Sequence, residues 1–308
     1  MRAWYPPALA AVVRHTASAA IVHAHDSHAA ALAAVARAVN SRLLVVCHRR
    51  VAFSLRGSAA DRWKYRHVDR WIAVSGEIAA KLQRFGAADP TVVHSAIDVE
   101  GLRTGRETDD LNRVRRELEI PPDARTVSLL AALVPQKGHE VLVGAAATIL
   151  SAAPDTVFLI AGEGHLGGEL RRRVRRAGMG ASFRFTGFRE DATALVGLAT
   201  VVVVPSVNGE GSSAVIKEAM ALGTPVVVSD LPGNLEVLGG AGVSFASGDA
   251  GALAGAVATL LGDPQRRSEL GSLGSRRSER WHPHVMTDGV LGAYRSLVQP
   301  RACATEFI

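Results

Sequence analysis

Residues 201–230, VVVVPSVNGEGSSAVIKEAMALGTPVVVSD, set two carboxylates, Glu210 and Glu218, into a glycine-punctuated turn and the helix predicted to follow it. Glu210 stands between Gly209 and Gly211, where backbone can approach a ligand closely, and Ser212 and Ser213 sit where side chains can cap a helix start. Such a start offers free N–H donors to an anion, a phosphate being the expected one. Lys137, followed by Gly138 in another predicted strand-end turn, is the best candidate to neutralise that anion, because a flexible ammonium after a strand end reaches it readily. Three histidines also fall near strand ends. His23 and His25 alternate along one predicted strand and share a face, the minimum for a metal pair, but no third ligand is in view and no metal is expected. His48 follows a second predicted strand, where a satisfied structural histidine is as good a reading as a functional one.

The elements that must position these residues follow from periodicity. Val201–Val204 and Pro225–Val228 have the length and β-branching of parallel strands covered on both faces, with a crossover helix between them. Strands are predicted at Ile21–Ala24, Leu43–Cys47, Trp71–Val74 and Thr91–His94, with helices at Ser27–Val39 and Ser75–Phe85. A second series begins near Thr126–Ala131 and continues at Val157–Ala161, Phe183–Thr186, Val201–Val204, Val226–Val228 and Val243–Phe245. Helices at Ala250–Leu261, Pro264–Ser278 and His282–Val298 finish the chain. Alternating strands and helices imply parallel α/β architecture, and ligands of such sheets collect at the carboxyl ends of the strands. The polar stretch Asp98–Asp123, ending near Pro121 and Pro122, reads as a linker with a short helix in it. The expected organisation is a first domain over 1–108, a linker over 109–122, a second domain over 123–280, and a C-terminal helix and tail over 281–308.

With 308 residues, 48% of them hydrophobic, the chain can build two cores. Its two cysteines, Cys47 and Cys303, suggest neither a disulfide framework nor a cysteine-rich metal site, so a reducing cytoplasm is the default. The longest apolar candidate, Ala192–Val207, is too short to span a bilayer, and Arg14 and His15 interrupt any signal-peptide core. The excess of 35 Lys+Arg over 29 Asp+Glu is clustered. Arg171, Arg172, Arg173, Arg175 and Arg176 read as a solvated helix face. The run from Arg49 to Trp71, with Arg50, Arg56, Arg62, Lys64, Arg66 and Arg70 interleaved with Trp63 and Tyr65, reads as a surface for an anionic membrane. No recognition motif accompanies the charge, so nucleic acid is not an expected partner.

Four segments, each at a predicted strand end and in a consistent order, resemble the nucleotide-binding domain of the family 4 glycosyltransferases, which have the two-Rossmann-domain GT-B fold. They are AALVPQKGH at Ala131–His139, LIAGEGH at Leu159–His165, FTGF at Phe185–Phe188, and the Glu-x7-Glu element from Glu210 to Glu218. VHAHD at Val22–Asp26, VCHRR at Val46–Arg50 and DRWIAVSGEIAAKL at Asp69–Leu82 resemble the later half of the family's acceptor domain. Members normally begin with a strand and a glycine-rich loop, whereas Met1–Ala20 has no glycine. The resemblance therefore implies a first domain incomplete at its N-terminus, a true start upstream or a fragment, and a 308-residue form that binds nucleotide but turns over poorly.

The resemblance implies a retaining transfer of sugar from a nucleotide-diphosphate sugar to a cell-envelope glycan or lipid-linked acceptor. The setting it implies is bacterial polysaccharide or lipopolysaccharide synthesis, in the cytoplasm or peripheral on the inner membrane face. It places Lys137 and Gly138 on the diphosphate, Gly162 and Glu163 in the Gly-Glu-Gly strand end, and Gly187 and Phe188 beside the nucleobase. Glu218 would hold the ribose hydroxyls, Glu210 would lie near the transferred sugar, and His48 would face it. Ala132 stands where the family usually has an arginine. No Asp-x-Asp triplet is present to hold a divalent cation, so transfer is expected to be metal-independent and without a cofactor. A sugar-nucleotide epimerase of the same fold and a catalytically impaired nucleotide-sugar-binding protein are the alternatives.

Overall fold

The computed structural model describes residues 6–50, 57–104 and 108–298, so Arg56 of the basic run and Cys303 lie outside the described residues. Two compact units emerge, Met1–Ser95 with His284–Ile308, and Ala96–Pro283.

The first unit is built on a parallel sheet of β1 (Ile21–Ala24), β2 (Leu44–Arg49), β3 (Arg70–Ala73) and β4 (Thr91–Val92), in that spatial order. The helix Ser27–Val39 begins where Asp26 accepts hydrogen bonds from the His28 and Ala29 N–H groups, both at 2.7 Å, which satisfies donors the first helical turn would otherwise leave open. Alternation along the strands gives the sheet two apolar faces. Val45, Cys47, Trp71 and Ala73 pack with Ala30, Ala33, Ile78 and Leu82 on one side. Val46, Ile72 and Val93 pack with Ala293, Met286, Val290 and Leu297 of the last helix, Pro283–Val298, on the other. The ladder to β3 carries β2 further than expected, with His48 opposite Ile72 and Arg49 opposite Ala73, so His48 lies inside the strand and not after it. Trp71 is core, and of the described aromatics in the basic run only Trp63 is strongly exposed.

The second unit carries β5 (Thr126–Leu130), β6 (Val157–Ala161), β7 (Phe183–Gly187), β8 (Val201–Val204), β9 (Val226–Ser229) and β10 (Val243–Phe245). All are parallel, in the order β10-β9-β8-β5-β6-β7. The valine runs of β8 and β9 are buried throughout, as strands covered by helices on both faces must be. Phe158 stacks on Phe183 with ring centroids 4.5 Å apart in the core beneath β6 and β7. The sheet grows one way from β5 to β6 and the other way from β8 to β9, so the β5/β8 boundary is where strand order reverses and a crevice must open at the carboxyl ends.

The boundaries fall elsewhere than the expected 1–108, 109–122, 123–280 and 281–308. The stretch read as a linker contains the helices Val99–Thr104 and Thr108–Glu117 and belongs to the second unit. Val114 and Ile120 pack against Val157, Leu159 and Leu195, while Arg103 donates to the Ser275 carbonyl and to Ser278 Oγ, both at 3.1 Å. So few apolar positions are hidden by the surrounding charge in the sequence. Conversely, helix Pro283–Val298 returns to the first unit. A fragment spanning 96–283 is therefore expected to unfold in urea as one cooperative transition. A fragment spanning 123–280, stripped of the cover over Val157 and Leu159, should unfold at lower urea; equal midpoints would show that the two short helices contribute nothing.

Candidate functional site

The crevice at the β5/β8 boundary holds a cavity of about 370 Å³. Ala131 and Ala132 line it from the β5 side, Pro205, Ser206 and Glu210 from the β8 side, and Lys137 and residues 212–215 complete it. Three local features bring these groups together. The turn carrying Lys137 ends at Gly138, whose φ is +69°, and a Cβ there would lie 1.8 Å from the Pro205 carbonyl oxygen, so only glycine lets the turn close on the loop after β8. Val207 N–H donates to the Gln136 carbonyl at 2.9 Å and fastens the same two loops. Lys137 Nζ then reaches Glu210 Oε1 at 2.5 Å, across 73 residues of sequence.

Glu210 is 7% exposed and also accepts a hydrogen bond from Ser206 Oγ at 2.6 Å. Burying a carboxylate costs several kcal/mol unless charge and hydrogen bonds compensate it, and Lys137 with Ser206 supplies both. The loop beneath is held in turn: Ser229 Oγ donates to the Ser206 carbonyl at 2.6 Å, and buried Asn234 donates to Ser229 Oγ at 3.1 Å. Gly233 touches the back of the site, since a Cβ there would lie 2.5 Å from the Glu210 carbonyl oxygen. Ser206, Ser229, Gly233 and Asn234 were not read from sequence. Ser206 stands two residues beyond the buried valine strand β8 and Ser229 is the last residue of β9, and those strand-end positions are the available signal.

The serines behave differently from the expectation. Ser213 occupies the position before helix Ala214–Ala221, but neither it nor Ser212 caps that helix with its side chain. Ser212 Oγ is buried without a partner among the described residues. With no side-chain cap, the first N–H groups of the helix stand uncapped among residues that line the cavity. Glu218 lies on the helix itself, apart from the cavity lining, and burial raises its carboxyl above the usual range against the opposing charge of Lys217. Gly162 N–H donates to the Gly187 carbonyl at 2.8 Å, and Leu133 N–H to the Glu163 carbonyl at 2.8 Å, so the Gly-Glu-Gly turn is tied to both neighbouring strand ends. Glu163 is exposed beside Gly187, and Phe188 is 72% exposed. His139, directly after the lysine turn, is buried with both ring nitrogens unpartnered among the described residues; burial, reinforced by Lys137, lowers it to about 4, so the ring is neutral.

In the first unit, His48 is 1% exposed and joins His23 and His25 in a cluster. Burial, and then the neighbouring charge of His23, lowers His48 to about 4; burial and His25 do the same for His23. Cys47, on the opposite face of β2, is a buried thiol pushed up to about 12 by burial.

Fold and site define a two-unit, parallel-sheet α/β protein with an anion-adapted crevice at a strand-order reversal. The family model described as Glycosyl transferases group 1 matches residues 124–263, and that described as Glycosyltransferase Family 4 matches residues 1–100. The chain belongs to the family 4 glycosyltransferases of the GT-B fold. It is 32% identical over 220 residues to a D-inositol 3-phosphate glycosyltransferase of Catenulispora acidiphila, covering 66% of this chain and 50% of the relative. It is 28% identical over 287 residues to a phosphatidyl-myo-inositol mannosyltransferase of Mycolicibacterium smegmatis, covering 90% of this chain and 71% of that one. The chain spans about half the length of several of the curated relatives it matches. Among solved structures, HepE of Anabaena in complex with UDP superposes with a TM-score of 0.85 at 22% identity, covering 94% of this chain and 82% of HepE. A sucrose-phosphate synthase from Thermosynechococcus elongatus superposes at 0.79 with 23% identity, covering 95% and 77%.

The Lys137–Glu210 pair differs from a surface ion pair, which contributes only about 0–1 kcal/mol. Lys137→Met should destabilise the protein by about 1–3 kcal/mol, because it leaves a buried carboxylate short of a partner. The Lys137→Met/Glu210→Gln double variant should recover part of that loss. Urea unfolding of the four proteins measures the cycle, and additive effects would show that the two groups act independently.

Proposed function

We propose that the protein is a retaining glycosyltransferase that moves a sugar from a nucleoside-diphosphate sugar to a lipid-linked or cell-envelope acceptor without a divalent metal. The observation that carries this reading is the joining of Lys137, Glu210 and an uncapped helix start around one crevice. Glu210 holds the ammonium that a diphosphate would otherwise claim. Donor binding shifts Lys137 toward the diphosphate, where it and the N–H groups of helix Ala214–Ala221 offset the charge that builds as the glycosidic bond breaks. Glu210 keeps the hydrogen bond from Ser206 on Oε1, which orients the carboxylate, and its other oxygen meets sugar hydroxyls and the positive charge developing at the anomeric carbon. Glu218 holds the ribose hydroxyls, with Gly187 and Phe188 beside the base. We assign no transfer step to His48, whose ring is enclosed by the histidine cluster. The acceptors in the names of the relatives, inositol phosphate and phosphatidylinositol, are the first candidates for this chain.

Calorimetric titration of the chain with UDP and GDP tests the donor site, and absence of heat with both would remove it. Glu218→Ala should weaken binding by about 1.5–3 kcal/mol through the lost charge-assisted contact. Transfer to an inositol-bearing acceptor should persist in chelator, and Glu210→Gln should lower kcat by a factor of about 10²–10³ with little change in donor affinity. Nucleotide binding without transfer would favour the binding-protein reading.

The acceptor side is proposed to meet an anionic membrane surface from the cytoplasm. Arg62, Arg66 and Arg84 converge with Tyr65 on one cavity, beside exposed Trp63, and no helix among the described residues is long and apolar enough to cross a membrane. Sedimentation with anionic vesicles should be strong at low salt and fade at high salt as charge is screened. Equal pelleting with neutral vesicles would count against this surface.

A further inference from the structure

We infer that the cavity of Arg62, Arg66 and Arg84 is a site for one phosphomonoester group carried on a ring or other partly apolar body. The inference rests on the reading of this face as an anion-facing surface and deepens it, from attraction by charge density to a pocket that takes one group per chain. The cavity has a volume of about 510 Å³, within the range of small-molecule sites.

Its place follows from topology. Helix Ala59–Arg66 leads into β3, and helix Gly76–Arg84 runs back from β3 toward β4. Because β3 and β4 are parallel, both helices end at the amino ends of the strands, opposite the loops that hold ligands in such sheets. Arg66 and Arg84 are the last residues of these helices, and Arg62 lies one turn before Arg66 on the same face. The carbonyls of a helix C-terminus favour a cation in the last turn, which accounts for Arg66 and Arg84 singly. It accounts neither for Arg62 nor for three guanidiniums meeting at one cavity, since like charges at i and i+4 repel.

Two observations point to a ligand. First, Arg62, Arg66 and Arg84 make no ion pair or side-chain hydrogen bond among the described residues, and the nearby carboxylates are engaged elsewhere. Asp61 accepts from Lys64 Nζ at 3.0 Å and from Ser58 Oγ at 2.9 Å, Asp69 from Arg37 at 2.7 Å, and Glu77 from Lys81 at 2.5 Å. No acidic side chain lines the cavity, so its three positive charges attract an anion and repel a cation. Second, the remaining wall is aromatic and fixed. Tyr65 stands edge-on to Trp71 with centroids 5.0 Å apart and to Phe85 at 5.3 Å, while its hydroxyl lies 3.2 Å from Ser27 Oγ. Trp71 is itself core. Such a wall meets the apolar body of a ligand while the guanidiniums take its charge.

Chemistry selects the anion. A guanidinium presents a planar fork that binds phosphate oxygens two at a time, and a phosphomonoester offers three terminal oxygens with about two negative charges. A phosphodiester or a carboxylate offers two oxygens and one charge, which leaves forks unmatched. The group can arrive free on a sugar phosphate or at a membrane on a monoester headgroup.

The experiment uses the full chain without an affinity tag. Calorimetric titration with glucose 6-phosphate should show a saturable site that glucose does not fill. Combining Arg62→Lys, Arg66→Lys and Arg84→Lys keeps the charge but removes the forks, so affinity should fall about tenfold or more. All three side chains are exposed, so Tm should match the parent. Sedimentation with phosphatidylcholine vesicles carrying phosphatidic acid or, at matched surface charge, phosphatidylglycerol separates the two sources. Stronger pelleting with phosphatidic acid, lost in the lysine variant, assigns the site to a lipid headgroup. Saturable glucose 6-phosphate binding without that preference assigns it to a free phosphate ester. Equal pelleting with both lipids and no saturable glucose 6-phosphate binding would overturn the pocket while leaving the charged surface intact, and so would undiminished binding in the lysine variant. Failure to pellet with either lipid would remove the surface reading instead, and glucose 6-phosphate would then decide the pocket alone.

Discussion

A buried carboxylate needs a counter-charge, and in this protein Lys137 meets that need for Glu210. The pair imposes demands on everything around it. Lys137 must come from a turn that closes against Pro205, which Gly138 permits; Glu210 must leave the carboxyl end of β8 in a loop that Gly233 can approach without a side chain. In the proposed reaction the loop would also have to stay in place as the ammonium moves to another anion. Ser206, Ser229 and Asn234 provide that support through hydrogen bonds independent of the lysine. A site organised this way carries its own stand-in for a ligand. In the proposed reaction an anion would replace one charge-assisted contact with another and meet a cation already positioned at its place.

The sheet supplies the room for this exchange. Because strand order reverses between β5 and β8, the loops that leave their carboxyl ends diverge to opposite faces and open a cavity. Helix Ala214–Ala221 begins at its edge, and the absence of a side-chain cap leaves that helix start available to an anion. Ala132, which lines the same cavity, contributes no charge. Lys137 is therefore the cation in the lining, and the helix start is the second source of positive potential.

The two units are completed by segments distant in sequence. Arg103 and Ile97 bind the chain following the first sheet to residues near 275–281, and helix Pro283–Val298 covers the Val46, Ile72 and Val93 face of that first sheet. The histidine cluster depends on this return, because Tyr294, on the last helix, orients His23. A boundary drawn from local polarity could not include it: the helix is sequentially continuous with the second unit while its apolar residues belong to the core of the first.

Local order was legible wherever one residue type repeats at the spacing of its element. The valine runs, helix Ser27–Val39 and the strands at residues 21, 157, 201 and 243 carry their own signals, since burial on two faces demands continuous apolar side chains. The turn glycines, Lys137 and Glu210 were legible as strand-end residues because only a few residue types suit a tight turn beside an anion. Tertiary structure decided the rest. Whether Lys137 and Glu210 touch, whether Ser212 and Ser213 cap their helix, and whether His48 joins His23 and His25 are questions of register and loop path between segments far apart in the chain. Those answers depend on which surfaces pack together, a property of the assembled sheets that no local pattern of residues contains.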